Sequence, residues 1–181
     1  METKVFTEEN GVYCLDCRKA LWAEGNLHDK YRCIKNVIAD VDFIFEDDRN
    51  IYLMEYKNAS APNAVNPSAF NPLSGGKIEN VSRKFYDSLH YLMIQNKGKP
   101  KKYVYVLQYP NGDATSRRMV RNKLKERLPF QMQKKNKKLI ESVEVLSIKE
   151  WNEHLIYKDY PLIKVEEYSE TAAEAPDETE E

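Results

Sequence analysis

The chain has 181 residues, enough for one domain with its own core, and 28 Lys and Arg nearly balance 29 Asp and Glu. No apolar run approaches the roughly 18 residues of a membrane span, and the first residues lack the apolar core of a signal peptide. Three cysteines without an export signal indicate reduced thiols. We therefore expect a soluble cytoplasmic protein that has no membrane partner.

The charges are unevenly distributed along the chain. Residues 165–181 carry eight acidic and no basic residues and are rich in Glu, Thr and Ala, which predicts an acidic disordered tail after a domain of residues 1–164. The remaining chain holds 28 basic and 21 acidic residues. A body of that sign attracts phosphate, and the acidic tail could compete for the same surface.

In chain order, residues 4–15 predict a hairpin turning at Asn10-Gly11, or part of a longer helix, and residues 16–24 predict a short helix. Residues 37–45 and 51–57 alternate in polarity and predict two strands joined by a charged turn at residues 46–50. Residues 59–76 contain three prolines and no charge, which indicates a long loop.

The second half predicts further alternating elements. Helices are expected at residues 77–95, 115–128 and 149–155, and strands at 102–109 and 142–148. The order predicts an α/β fold with a mixed central β-sheet flanked by helices.

The hairpin of residues 37–57 carries the chemistry. Strand alternation puts Glu55 and Lys57 on one face of the second strand, and Asp42 faces the same way as Asp40 on the first. If the turn closes at residues 46–50, Asp42 and Glu55 come opposite each other. The simplest structural alternative is a salt bridge of Glu55 with Lys57, or with another neighbour, on a half-exposed sheet face.

Two adjacent carboxylates supply hard oxygen ligands for Mg²⁺, which also accepts water and phosphate oxygens. Such an ion polarises a phosphoryl group and lowers the pKa of an attacking water. Lys57 beside the carboxylates could position or deprotonate that water and stabilise the oxyanion. The pattern therefore predicts phosphodiester hydrolysis.

These residues resemble the PD-(D/E)XK nuclease superfamily, whose members share a restriction-endonuclease-like or Holliday-junction-resolvase-like fold. The resemblance rests on Asp42 and on Glu55-Tyr56-Lys57, separated by 13 residues from Asp42 to Glu55. It extends to an order of helix, three strands, helix and strand over residues 16–109. Val41 stands where the family pattern has proline. The resemblance implies Asp42 and Glu55 as metal ligands and Lys57 as the catalytic lysine, with Mg²⁺ or Mn²⁺ as cofactor.

The superfamily often adds an acidic ligand from its first helix, and Glu24 is the best candidate here, with Asp16 and Asp29 as competitors. Asp40 could be a further ligand or could support Asp42. The resemblance also implies a polar residue from the helix after Lys57. Among the candidates on one flank of that helix, which are Lys77, Lys84, Ser88 and Tyr91, we expect Lys84 to flank the site.

The basic stretch of residues 117–138 has ten basic residues and one acidic residue. Beside a nuclease-like hairpin it predicts phosphate contacts, which give affinity without sequence specificity. The candidates are Arg117, Arg118, Arg121, Lys123 and Lys125.

Cys14, Cys17, His28 and Cys33 have the ligand types of a zinc site. Their spacing is irregular, and cysteine is among the most buried residue types, so we expect core packing instead.

The sequence thus predicts a metal-dependent endo- or exonuclease acting on nucleic acid, DNA rather than RNA, alone or with a protein partner or second copy. The alternative is a catalytically inactive module of the same fold that binds nucleic acid or a protein.

Overall fold

The computed structural model describes residues 4–25, 27–31 and 38–174. The strands within them are β1 (Val5–Thr7), β2 (Tyr13–Asp16), β3 (Trp22–Glu24), β4 (Phe43–Glu46), β5 (Ile51–Asn58), β6 (Lys101–Gln108), β7 (Ser142–Leu146) and β8 (Leu162–Lys164). The α-helices are α1 (Leu27–Lys30), α2 (Gly75–Ile94), α3 (Ala114–Arg127), α4 (Ile148–Glu153) and α5 (Val165–Glu174).

A mixed five-stranded sheet forms the centre, with the order β3-β4-β5-β6-β7. Strands β3, β4 and β5 pair antiparallel, whereas β5, β6 and β7 pair parallel. A second, antiparallel sheet has the order β1-β2-β8. The predicted α/β class with a mixed central sheet flanked by helices is confirmed.

The alternation predicted for β5 is confirmed by two separate cores, one on each face of the large sheet. Ile51 and Leu53 pack under α2 and α3 on one face. Tyr52, Met54 and Tyr56 pack on the other face, against α4 and the three-stranded sheet. Because Glu55 and Lys57 continue the Ile51–Leu53 face, they lie on the side that α2 covers.

The turn between β4 and β5 closes where the sequence predicts. The carboxylate of Asp47 accepts hydrogen bonds from the backbone N–H groups of Arg49 and Asn50, at 2.8 and 2.6 Å. Its second oxygen accepts from the Tyr52 hydroxyl at 2.7 Å. These bonds fix the register in which Phe43 pairs with Met54.

The helix predicted for residues 16–24 is wrong. Asp16 ends β2, where its carboxylate binds the N–H of Arg18, and Trp22–Glu24 form β3 along the edge of β4. Pairing with β4 outweighs the local signals that favoured a helix, because local preference is a weak guide against tertiary contacts. The N-terminal hairpin turning near Asn10-Gly11 is confirmed as β1 and β2.

The strand predicted from residue 37 is shorter than expected, since β4 begins only at Phe43. The N–H groups of Ala39 and Val41 donate to Asp87 Oδ2 and Ser88 Oγ of α2, at 2.8 and 3.1 Å. Side chains of α2 thus take the place of a neighbouring strand. Residue 37 lies outside the described residues.

The remaining predicted elements lie within a few residues of the observed ones. Residues 59–74 form a loop with one 3₁₀ turn (Pro67–Ala69) before α2, and Asn96 in the left-handed region follows that helix. Asp113 and Ser116 cap α3 reciprocally.

Residues 165–174, predicted to be disordered, form α5, and residues 175–181 lie outside the described residues. No helix in the described chain is long and apolar enough to cross a membrane.

Glu46, at the end of β4, supports a prediction about stability. Its carboxylate is nearly buried, and it pairs with Lys97 at 2.5 Å and Lys99 at 2.8 Å. Burial alone would raise the pKa of Glu46, but the two ammonium groups outweigh it and hold that pKa below its ordinary value of 4.5. Glu46→Gln should therefore lower the free energy of unfolding by about 1–3 kcal/mol at neutral pH.

A carboxyl with a lowered pKa contributes stability above its unfolded pKa and loses it as the pH falls through its folded pKa. The difference between wild type and Glu46→Gln should consequently shrink as urea titrations move from pH 6 to lower pH. Glu141→Gln is the matched control, because Glu141 pairs with Lys138 at the surface and should cost well under about 1 kcal/mol. Equal losses in the two variants would contradict the prediction.

Candidate active site

Asp42 and Glu55 are neighbours across the β4–β5 pair. Phe43 pairs with Met54, so the residue before Phe43 lies opposite the residue after Met54. Asp42 Oδ2 accepts a hydrogen bond from the N–H of Tyr56 at 2.7 Å, which fixes the carboxylate against β5. The predicted opposition of the two carboxylates is therefore present.

Lys84 of α2 joins the two carboxylates. Its Nζ lies 2.9 Å from Glu55 Oε1, 2.8 Å from Glu55 Oε2 and 3.7 Å from Asp42 Oδ1. Glu55 is only 6% exposed, and the Lys84 side chain is 19% exposed. The sequence predicted that Lys84 flanks the site, and the structure places its ammonium between the acids.

Lys57 lies on the same face as Glu55 but makes a different ion pair. Its Nζ is 3.4 Å from Glu9 Oε1, in the turn between β1 and β2. Lys57 and Glu9 line a cavity of about 320 Å³ together with Asp42, Glu55 and Lys84. The cavity lies at the carboxyl end of β5, the strand that pairs antiparallel with β4 and parallel with β6.

The electrostatics of the pair reflect burial and crowding of like charges. Burial, and next the Asp42 carboxylate, raise the pKa of Glu55 well above its ordinary value. Burial also raises the pKa of Asp42, although Lys84 and the Tyr56 N–H oppose it. Burial alone would lower the pKa of Lys84, but the carboxylates of Glu55 and Asp42 outweigh it and raise that pKa. Both carboxyls therefore lack full compensation for their negative charge.

The other predicted acidic residues lie in different surroundings. Asp40 lines a wider cleft of about 540 Å³ that shares Asp42, Glu9 and Lys84 with the first cavity, and it lies 3.7 Å from His28 Nδ1. Glu24 is on β3, opposite Ile44, and its carboxylate accepts a hydrogen bond from the Tyr91 hydroxyl at 3.1 Å. It does not line the cavity that contains Asp42 and Glu55.

The two competitors of Glu24 can be placed as well. Asp16 is held by Arg18, with a closest contact of 2.6 Å, and Asp29 lines the wider cleft.

The donor set fits a divalent ion of the Mg²⁺ or Mn²⁺ type. Mg²⁺ is usually bound by one or two carboxylates and completes its octahedron with water and phosphate oxygens. Asp42 and Glu55 are two such carboxylates, and both are contacted by the Lys84 ammonium. No group of three or more His, Cys, Asp or Glu suited to a metal occurs among the described residues, so a site closed by protein ligands alone is not formed there.

Glu9 is the site residue that the sequence did not reveal. It lines both cavities and raises the pKa values of Asp42 and Glu55 through its charge. The only local signal is the Glu8-Glu9-Asn10-Gly11 turn, and nothing in that turn shows which distant strand it faces.

The basic residues predicted to contact phosphate differ in accessibility. Arg117 is 8% exposed and donates to Glu150 Oε1 at 2.7 Å and to the Gly112 carbonyl, so we remove it from that set. Arg121 is half-buried, and Lys123 pairs with Glu126 at 3.0 Å. Arg118 and Lys125 are exposed, the latter with its ammonium over the Phe130 ring.

The cysteines follow the packing prediction where they are described. Cys14 and Cys17 are buried at 2% and 0% exposure, and Cys17 belongs to the core beneath α4. Burial raises the pKa of both thiols. His28 lies instead beside Asp40, and Cys33 is outside the described residues.

Comparison with known proteins gives no relative for this arrangement. No protein-family model, curated protein or solved structure matches the chain. The geometry of the site and the residues themselves therefore carry the functional argument.

The contact between Ser88 and the segment before β4 yields a prediction about how Asp42 is held. Ser88 is fully buried, and Ser88→Ala leaves the Val41 N–H without an acceptor, which should cost about 1–3 kcal/mol. Amide exchange at Val41 should accelerate at the same time.

Ser82→Ala is the matched control on the same helix, since the Ser82 hydroxyl only donates to the Ile78 carbonyl one turn back. It should cost less than Ser88→Ala in urea unfolding. A Ser82→Ala loss equal to or larger than that of Ser88→Ala would refute this role for Ser88.

Proposed function

We propose that this protein is a Mg²⁺- or Mn²⁺-dependent nuclease of the PD-(D/E)XK type that hydrolyses phosphodiester bonds, in DNA rather than RNA. The single observation that carries the proposal is the apposition of Asp42 and Glu55 at the mouth of a cavity that Lys57 also lines. The order β3-β4-β5-α2-β6 supports a restriction-endonuclease-like core, with α1 as a single turn between β3 and β4.

Each residue of the site has a defined role in this proposal. Asp42 and Glu55 hold the ion, with Asp42 fixed in orientation by the Tyr56 N–H. When bound, the ion supplies Lewis-acid activation of the phosphoryl group and of the attacking water. Water forms the new bond to phosphorus while the bond to the leaving sugar oxygen breaks.

Lys57 is the residue suited to orient the attacking water and to stabilise the negative charge that develops on the phosphoryl oxygens. It is partly exposed, with 42% of its side chain accessible, and its partner Glu9 is on a surface turn. A phosphate entering the cavity would compete with Glu9 for the Lys57 ammonium, after which Lys57 can orient the attacking water or stabilise an equatorial oxygen. Glu24 is assigned no role, since its carboxylate is engaged by Tyr91.

One observation favours the alternative function, a binding module without catalysis. Lys84 already neutralises part of the carboxylate charge, as a structural ion pair would. Such a module would need neither a divalent ion nor Lys57 to bind nucleic acid or a protein partner.

Substitution of the site separates the two functions. Lys57→Ala should reduce Mn²⁺-dependent cleavage of a plasmid and of a single-stranded oligonucleotide by at least about 100-fold, the range typical of a residue acting on a proton in the transition state. Asp42→Asn should abolish both cleavage and Mn²⁺ binding measured by calorimetry.

Lys149→Ala is the matched control, because Lys149 is exposed on α4, on the opposite face of the sheet, and should leave cleavage unchanged. Retained cleavage in Lys57→Ala, with wild-type Mn²⁺ binding, would rule out the proposed role of Lys57. Absence of Mn²⁺ binding by the wild-type protein would favour the binding module.

The accessible basic residues of α3 give a further prediction. Arg118→Ala combined with Lys125→Ala should weaken binding of a duplex in the absence of divalent ion. It should also reduce the slope of log affinity against log salt by about 2, since each phosphate contact contributes about 0.9. An unchanged slope, equal to that of Lys149→Ala, would exclude these residues from the nucleic-acid surface.

A further inference from the structure

Lys84 occupies an unusual position for a helix lysine. It projects from the third turn of α2 toward the sheet face that carries Glu55, and its ammonium contacts both oxygens of Glu55 and one oxygen of Asp42. The side chain is 19% exposed, so the ammonium is largely removed from water. The positive charge of such a buried ammonium is stabilised by the neighbouring carboxylates and not by hydration.

The charge around Lys84 is out of balance. Besides Glu55 and Asp42, the carboxylate of Asp40 acts on Lys84, and Glu9 acts on both Asp42 and Glu55. Lys57 is engaged with Glu9. The Lys84 ammonium is therefore shared by two carboxyl groups, and two further carboxyl groups, those of Asp40 and Glu9, line the cavities beside it.

A divalent ion and the Lys84 ammonium require the same oxygens. The ammonium lies 2.8–2.9 Å from Glu55, whereas Mg²⁺ binds oxygen at about 2.1 Å. An ion shared by Glu55 and Asp42 would be in direct contact with the ammonium nitrogen in its present position. Two cations at that separation repel each other strongly, because the burial of the site limits screening by water.

We propose that Lys84 is a built-in competitor of the divalent ion, which holds Asp42 and Glu55 together in the metal-free protein and leaves them as the ion enters. The inference rests on the proposed function for the identity of the two ligands. It adds that the affinity of the site for metal is set by the displacement of a lysine.

The structure offers the ammonium a place to go. Lys84 lines the cavity that contains Glu55 and also the wider cleft that contains Asp40. A lysine has four rotatable methylene groups, so its ammonium can turn toward Asp40 without movement of the helix. The backbone of α2 can stay in place, which preserves the contacts of Asp87 and Ser88 with the segment before Asp42.

Removal of the competing charge tests the inference directly. Lys84→Met keeps an unbranched side chain of similar length, and calorimetry with Mn²⁺ alone measures binding without reference to cleavage. We expect Mn²⁺ to bind about tenfold or more tightly to Lys84→Met than to the wild-type protein, since a hydrogen bond between charged groups no longer has to be broken. Lys84→Gln should also bind more tightly, which provides a second variant if Lys84→Met fails to fold.

Two controls isolate the charge of Lys84. Lys84→Arg keeps a cation at the site and should not show the increase. Arg83→Met removes the charge of the neighbouring residue, which is exposed and lies 4.0 Å from Asp87, and should leave Mn²⁺ affinity unchanged.

Amine labelling gives an independent readout of the displacement. Mn²⁺ should increase the reactivity of Lys84 toward an acylating reagent, as followed by mass spectrometry, while Lys149 stays constant. Equal or weaker Mn²⁺ binding by both Lys84→Met and Lys84→Gln would overturn the competitor role and leave the proposed metal site intact. If neither the wild-type protein nor the variants bound Mn²⁺, the metal site itself would be refuted, and the competitor role with it.

Discussion

The antiparallel pairing of β4 with β5 determines where the charge of this protein accumulates. The Asp47 carboxylate closes the turn between the two strands, and the register that results sets Asp42 beside Glu55. A shift of one residue would turn Glu55 and Lys57 to the aromatic core beneath α4 and would expose Tyr56 to α2. Both faces of β5 are buried, so packing on either side enforces the register that the turn selects.

That register has an energetic consequence at the site. Two carboxyls are held close together under a helix, where burial raises the pKa of each, and a single lysine offsets part of the repulsion. Such an arrangement destabilises the folded state unless other contacts compensate. Buried charges that are incompletely paired are concentrated at functional sites. The described chain contains better compensated carboxylates, as Glu46 shows with its two lysines. The pKa values of Asp42 and Glu55 are accordingly raised, whereas that of Glu46 is lowered.

Local patterns predicted much of the fold and part of the site. Alternation of period two identified β5 and the common face of Glu55 and Lys57. Side chains alternate between the two faces of a sheet along any strand, so the face of each residue can be predicted from the local sequence. Lys84 was expected beside the site from the family resemblance, since the apolar stripe of α2 alone left four polar residues on one flank as candidates. The helix expected at residues 16–24 was wrong, because pairing with β4 decided that conformation, and Glu24 consequently lies on a strand. Glu9 was missed for the same reason. The sequence of a turn does not indicate which part of the structure the turn packs against.

Completion of the cavity depends on the three-stranded sheet, one strand of which is synthesised late. Glu9 borders the cavity from the turn between β1 and β2, and β2 is paired on its other side with β8. Strand β8 follows every element of the large sheet in the chain. During synthesis, β4, β5 and α2 can assemble the carboxylate pair well before residues 162–164 leave the ribosome. The turn that carries Glu9 gains the support of β8 only after residues 162–164 have been made, so in a nascent chain the acidic site would be exposed before the cavity is complete.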